Sequence, residues 1–184
     1  MRSYKTEGII LKRTNFGEAD KILTIFTKRH GKIKVLAKGI RRITSRRSPN
    51  VELFNCVTLF VHQGKTFDIL TEAQVSNTFS SIRKNLELVG LAYYVCELVD
   101  GLCAEHQPQQ RVYELLLSTL NELDHGLIQK FESTLLFELG FLPASPAGGQ
   151  GGPAVSAQKI DTTAYIENLL ERRIKSKKFL TTII

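Results

Sequence analysis

Within the first 77 residues, short runs of alternating apolar and polar side chains are separated by glycine-bearing turns, and this punctuation constrains the fold more than any other feature. Residues 4–14 (YKTEGIILKRT) are rich in β-branched side chains and end on Lys12 and Arg13, as a strand would. Residues 15–20 (NFGEAD) supply a turn in which Gly17 accommodates a positive φ. Residues 21–28 (KILTIFTK) alternate again, and Arg29-His30-Gly31 connects tightly into a third run at 31–38. After a long polar interruption, residues 53–62 (LFNCVTLFVH) and 67–75 (FDILTEAQV) form two further strands, joined through Gln63-Gly64-Lys65-Thr66 as a hairpin. Five strands with the longest gap between the third and the fourth is the plan of a small Greek-key barrel such as the OB-fold; an SH3-like barrel gives a similar count.

The gap itself is basic. In the third strand Lys32, Lys34 and Lys38 share one face and Ile33, Val35 and Ala37 the other, because successive strand side chains point to opposite sides. The chain then passes Gly39 into a loop carrying Arg41, Arg42, Arg46 and Arg47, and no acid interrupts residues 31–49. Such a run reads either as a solvated loop or as an electrostatic footprint for a polyanion. The distribution of charge favours the footprint: residues 1–50 carry a balance of +11, residues 51–140 of −7, and residues 141–184 of +3. A surface charged only for solubility would not sort its signs along the chain.

From residue 79 the period changes. Residues 86–105 (LELVGLAYYVCELVDGLCAE) are apolar on nearly every side, the mark of a buried helix. Pro108 opens a second helix at 109–123, and a third spans 126–139 before Gly140. Residues 143–158 are rich in Gly and Pro and read as a linker or surface loop. Asp161 or Thr162 then caps a last helix running to about residue 180, whose far end gathers Arg172, Arg173, Lys175, Lys177 and Lys178 into a second basic patch. The expected architecture is α+β: an N-terminal five-stranded OB-fold barrel over 1–78, then a C-terminal α-helical bundle over 79–184.

A search for catalytic patterns removes options. Gly64-Lys65-Thr66 imitates the end of a P-loop, but the first glycine of that motif would fall at Leu59. His30, His62, His106 and His125 are scattered without metal-site spacing, and the basic module offers only Glu7, Glu18 and Asp20 as carboxylates. Cys56, Cys96 and Cys103 sit in apolar stretches and form no CxxC pair, so they read as core residues of a reducing compartment, with no metal and no cofactor expected. The N-terminus has no signal-peptide apolar region and the most apolar run is too short to span a bilayer. The expectation is a nonenzymatic cytoplasmic protein.

On these residues the chain resembles the RecO family of bacterial recombination mediators. The resemblance rests on EGIILKRTNFGEADKILTIFT, HGKIKVLAKGIRR with the following SRR, ILTEAQV, LAYYVCELVD, the FE and LLFELGFLP segments, and the terminal IKSKKFL, all in order. It implies an OB-fold, a helical domain, and nucleoid-associated DNA repair without ATP hydrolysis. It further implies binding of single- and double-stranded DNA, annealing of complementary strands, contact with RecR and with the C-terminal tail of single-strand binding protein, and help in loading RecA. Many family members follow the equivalent of FELGFLP with a four-cysteine zinc module; here ASPAGGQGGPAVSA stands instead and those cysteines are absent.

The residues expected to neutralise DNA phosphates are Lys12, Arg13, Lys32, Lys34, Lys38, Arg41, Arg42, Arg46 and Arg47, with Arg172, Arg173, Lys175, Lys177 and Lys178 as a possible secondary patch. Phe16, in the first turn, is either a base-stacking platform or a loop anchor tucked under the barrel. Two other readings fit the same residues: a protein-interaction adaptor presenting the acidic middle segment, and an RNA-binding OB-fold protein.

Overall fold

A computed structural model of the chain describes residues 3–143 and 161–178. The chain divides into two compact units, one of Met1–Ser80 with Cys103–Tyr113 and one of Ser81–Leu102 with Glu114–Ile184.

The first unit is the expected barrel. Its strands are β1 (Ser3–Phe16), β2 (Asp20–Thr27), β3 (Gly31–Ala37), β4 (Cys56–His62) and β5 (Asp68–Asn77), closed in the order β1-β2-β3-β5-β4. All neighbours are antiparallel except β3 and β5. This order, with its one parallel pair, distinguishes the OB-fold from the SH3-like alternative. β1 is long enough to serve two partners, pairing through Ser3–Ile9 with β4 and through Gly8–Phe16 with β2. The hand-over falls at Gly8, where a Cβ would lie 2.7 Å from Ile25 Cγ2, and at a register shift between Ile10 and Lys12. A glycine and a bulge at one place are how a strand bends around a closed barrel. The interior is filled by Ile10, Leu23, Ile25, Ile33, Val35, Val57, Leu59, Val61 and Leu70, each at most 1% exposed.

Two departures from the expected elements have local causes. β4 begins at Cys56 rather than at residue 53, because Phe54 takes φ 70° and exchanges backbone bonds with β1: Phe54 N–H donates to Ile10 O at 2.9 Å, and Ile10 N–H to Asn55 O at 3.1 Å. Between β3 and β4 a 3-10 turn at Pro49–Val51 interrupts the loop and plugs Val51 into the core.

The helices are α1 (Ser80–Arg83), α2 (Leu86–Leu102), α3 (Gln110–Asn121), α4 (His125–Glu138) and α5 (Thr162–Leu170). In the second unit α2, α4 and α5 pack on one another. Their shared centre contains one buried carboxylate, Glu132, 3% exposed, which accepts from the hydroxyls of Tyr94, Thr162 and Thr163. Asp161 caps α5 by accepting from Ala164 N–H at 3.0 Å. The helix expected to reach residue 180 stops at Leu170, with Glu171 at φ 51°. The following backbone is captured by acidic side chains instead of by helical carbonyls: Ile174 N–H donates to Glu167, and Lys175 and Ser176 N–H donate to Glu97. Most of the Gly/Pro-rich stretch at 143–158 and the end of the expected last helix lie outside the described residues. Among the described residues no helix is long and apolar enough to cross a membrane.

Candidate nucleic-acid interface

Turn geometry places the basic loop. Gly39 takes φ 66°, its N–H donates to Asp20 Oδ1 at 2.7 Å, and Arg41 N–H donates to Ala19 O at 2.9 Å. These bonds bind the start of the loop to the β1–β2 turn. Arg47 anchors its far side: Nη1 donates to the carbonyls of Leu70 and Thr71 at 3.0 and 3.2 Å, and Nη2 to that of Lys38 at 2.8 Å. One guanidinium thereby ties the loop to β5 and to the end of β3, using the fixed fork of donors that only arginine has. The loop borders an open concavity of about 620 Å³ lined by Lys38, Arg42, Thr44, Ser45, Arg46 and Arg47, with Asp20 the only acid among the described residues that line it.

The nine cations expected to act together fall into two sets. Lys12, Lys38, Arg42 and Arg46 are exposed and form no ion pair among the described residues. Arg41 is exposed as well, with Nη1 resting on Gly17 O at 3.2 Å. The others are engaged internally. Arg13 forms an ion pair with Glu52, just past the 3-10 turn, and its Nε is buried without a partner. Lys34 pairs with Glu105 at 2.5 Å, and that hydrogen bond, outweighing burial and aided by Lys34 and Lys32 charge, holds the Glu105 carboxyl below its usual range. Lys32 is only 8% exposed.

Lys32 is covered, and Lys34, though exposed, is paired, because the segment after α2 returns to the barrel. Lys32 bridges to Glu105, and His106 N–H donates to Lys32 O at 2.9 Å, so this segment extends the sheet at a stretch of β3 that β5 does not reach. Tyr113 Oη then donates to Glu7 at 2.8 Å and meets Cys56 Sγ at 3.6 Å. Burial is the first cause that raises the Tyr113 hydroxyl well above its ordinary range, followed by Cys56 and Glu7. No strand period in the sequence marks residues 103–107 as a barrel component, and Glu105 is the single acid they carry.

The secondary patch is also partly matched. Arg172 donates to Glu97 at 2.9 Å and Lys177 lies 3.6 Å from Glu167; Arg172, Arg173, Lys175 and Lys178 are all exposed. Burial pushes the Glu97 carboxyl up, but the Ser176 hydroxyl, the Ser176 and Lys175 N–H groups and Arg172 outweigh it and leave it below the usual range. Cys56, Cys96 and Cys103 are buried free thiols, and among the described residues no three His, Cys, Asp or Glu side chains cluster as metal ligands would.

One contact at the interface lies outside the basic set. Phe67, at the end of the β4–β5 connection, meets Phe16 edge to face with ring centroids 6.0 Å apart. These are the two loops that, in OB-folds, flank the oligonucleotide-binding face.

A closed barrel of this strand order, carrying a cationic loop and followed by helices, defines an OB-fold protein with an appended helical region. Residues 1–79 match the family described as Recombination protein O N terminal, and residues 83–152 match Recombination protein O C terminal. The chain is 37% identical over 147 residues to a DNA repair protein RecO of Roseiflexus sp. (strain RS-1), covering 77% of this chain and 52% of that protein. It is 36% identical over 162 residues to the DNA repair protein RecO of Symbiobacterium thermophilum, covering 84% and 64%. The chain belongs to the recombination protein O family, a family of DNA repair and recombination, and the matches extend over about half to two thirds of the length of these relatives.

Proposed function

We propose that this chain is a nonenzymatic DNA-binding recombination mediator: it binds single- and double-stranded DNA and anneals complementary strands. With RecR it would help load RecA onto DNA coated by single-strand binding protein, whose C-terminal tail it contacts. The observation that carries the DNA-binding part is the concavity rimmed by Lys38, Arg42 and Arg46, which have no ion-pair partners among the described residues. Unpaired cations on a bonded, shaped loop attract phosphates, and the release of condensed counterions supplies most of the affinity. Neutralising two strands at once lowers their mutual repulsion and lets complementary bases meet, which requires no nucleotide hydrolysis.

The test is binding of a single-stranded oligonucleotide as a function of salt. Each neutralised phosphate contributes about 0.7 to the slope, so changing Lys38, Arg42 and Arg46 together to Gln lowers the slope by about 2 and suppresses annealing. A flat slope for the unaltered protein, or annealing retained by the triple variant, overturns the reading. Arg47 and Arg13 are left in place because their guanidinium groups hold the loop.

The adaptor reading draws on the acidic middle of the chain, yet Glu52, Glu97, Glu105 and Glu132 are all engaged within the chain itself. RNA and DNA oligonucleotides in competition separate the RNA-binding reading, since a phosphate groove has no inherent 2′-OH preference.

A further inference from the structure

Phe16 ends β1 and is 43% exposed, although a phenylalanine in a turn ordinarily tucks its ring under the sheet. It is held in place without being covered. Its backbone closes the β1–β2 ladder opposite Asp20, Gly17 at φ 58° turns the chain immediately after it, and the half-buried Phe67 meets it at an interplanar angle of 67°. An edge-to-face partner fixes a ring's orientation while leaving much of its surface open.

The same few residues bind the ring to the basic loop. Asp20, the ladder partner of Phe16, lines the cationic concavity and accepts from Gly39 N–H at 2.7 Å. The guanidinium of Arg41 donates to the carbonyl of Gly17, next to Phe16, at 3.2 Å. An oriented, exposed ring thus sits beside cations suited to phosphate. A single strand presents that combination, a flat apolar base on a charged backbone; a duplex keeps its bases stacked inside.

We propose that Phe16, braced by Phe67, is a stacking platform for an unpaired nucleobase of single-stranded DNA whose phosphates lie along Arg41, Arg42 and Arg46. This rests on the DNA-binding reading above and deepens it: the cations supply affinity for any polyanion, and the aromatic pair supplies the preference for strands with free bases. Stacking requires only a π face, so the preference carries no sequence information.

The test compares an all-thymidine oligonucleotide with an abasic strand of equal length and charge, titrated into the full chain at fixed salt. The unaltered protein should prefer the strand with bases by roughly 5- to 150-fold per stacked base. Phe16→Ala and Phe67→Ala should each lose that preference with the salt slope unchanged, and Phe16→Tyr should keep it. The chain contains no Trp, so Phe16→Trp adds a single reporter whose fluorescence should be quenched by the thymidine strand and not by the abasic one. This variant also guards against misfolding of the alanine forms. Equal affinity for both strands with a steep salt slope overturns the platform and leaves the phosphate reading standing. Binding to neither strand overturns both.

Discussion

A Cβ placed on Gly31 would lie 2.1 Å from the carbonyl oxygen of Gln107, so the first residue of β3 and the segment that follows α2 touch backbone to backbone. Gly31 also holds φ 64°. Two independent penalties therefore meet any side chain there, a left-handed backbone and an immovable neighbour, costing about 2 to 5 kcal/mol together. Gly31→Ala should lower the chemical-denaturation midpoint accordingly. Gly17→Ala is the control: its φ is 58° but nothing lies within 4 Å of the added methyl, so only the backbone term, about 1 to 2 kcal/mol, applies.

Arg46 and Arg47 are adjacent in the chain and opposite in role. Arg47→Ala removes three bonds to carbonyls and should cost about 1 to 3 kcal/mol of stability. Arg46→Ala should leave stability within about 0.5 kcal/mol and lower the salt slope for single strands by about 0.7. Thermal unfolding and oligonucleotide titration of the two variants, run side by side, check this pair.

Glu97 makes the second unit sensitive to acid. Its folded-state carboxyl titrates below the ordinary value of 4.5, so its contribution to stability is fully present above the unfolded pKa and is lost as pH falls through the folded one. Glu97→Gln should destabilise the protein at neutral pH, and the difference between the two proteins should shrink below about pH 4.5. Denaturant unfolding across pH 3 to 7 measures it.

Glu132 is the polar centre of the helical unit. Glu132→Ala strands the hydroxyls of Tyr94 and Thr162 in a buried site and should cost about 3 to 5 kcal/mol. Tyr94→Phe should cost less, about 1 to 2 kcal/mol, because the threonine hydroxyls still satisfy the carboxylate. Comparing the two by calorimetry separates a carboxylate that organises the core from one that is only buried in it.

Cys96 is a buried thiol whose burial, with Asp100 adding to it, raises it well above its ordinary range. Thiol reagents should modify it only at the rate of unfolding, measured by mass spectrometry with and without denaturant.

Much of the barrel was legible because its determinants are local. Alternation in residues 4–14, 21–28 and 31–38 and the turn glycines Gly17 and Gly31 specify strands and connections without reference to distant residues, and the start of the last helix is announced in the same way by Asp161 or Thr162, of which Asp161 is the cap. The points of failure were also local competitions settled from afar. Phe54 leaves the strand to exchange bonds with Ile10, and the last helix ends at Leu170, beyond which Glu97 takes the N–H groups of Lys175 and Ser176.

The candidate site divides along the same line. Sequence alone determined that cations crowd the third strand and its loop, since composition and order are all that a charge count needs. Only the tertiary structure decided which of them remain open, because a cation is engaged by whatever acceptor the fold delivers: the carboxylates of Glu52 for Arg13 and of Glu105 for Lys34, which neutralise them, and backbone carbonyls of β5 for Arg47, which hold it in place. It likewise set Phe67 against Phe16, a pairing between two loops that no periodicity relates. Coulomb attraction and ring packing act over a few ångströms of space, and separation along the chain does not measure that distance.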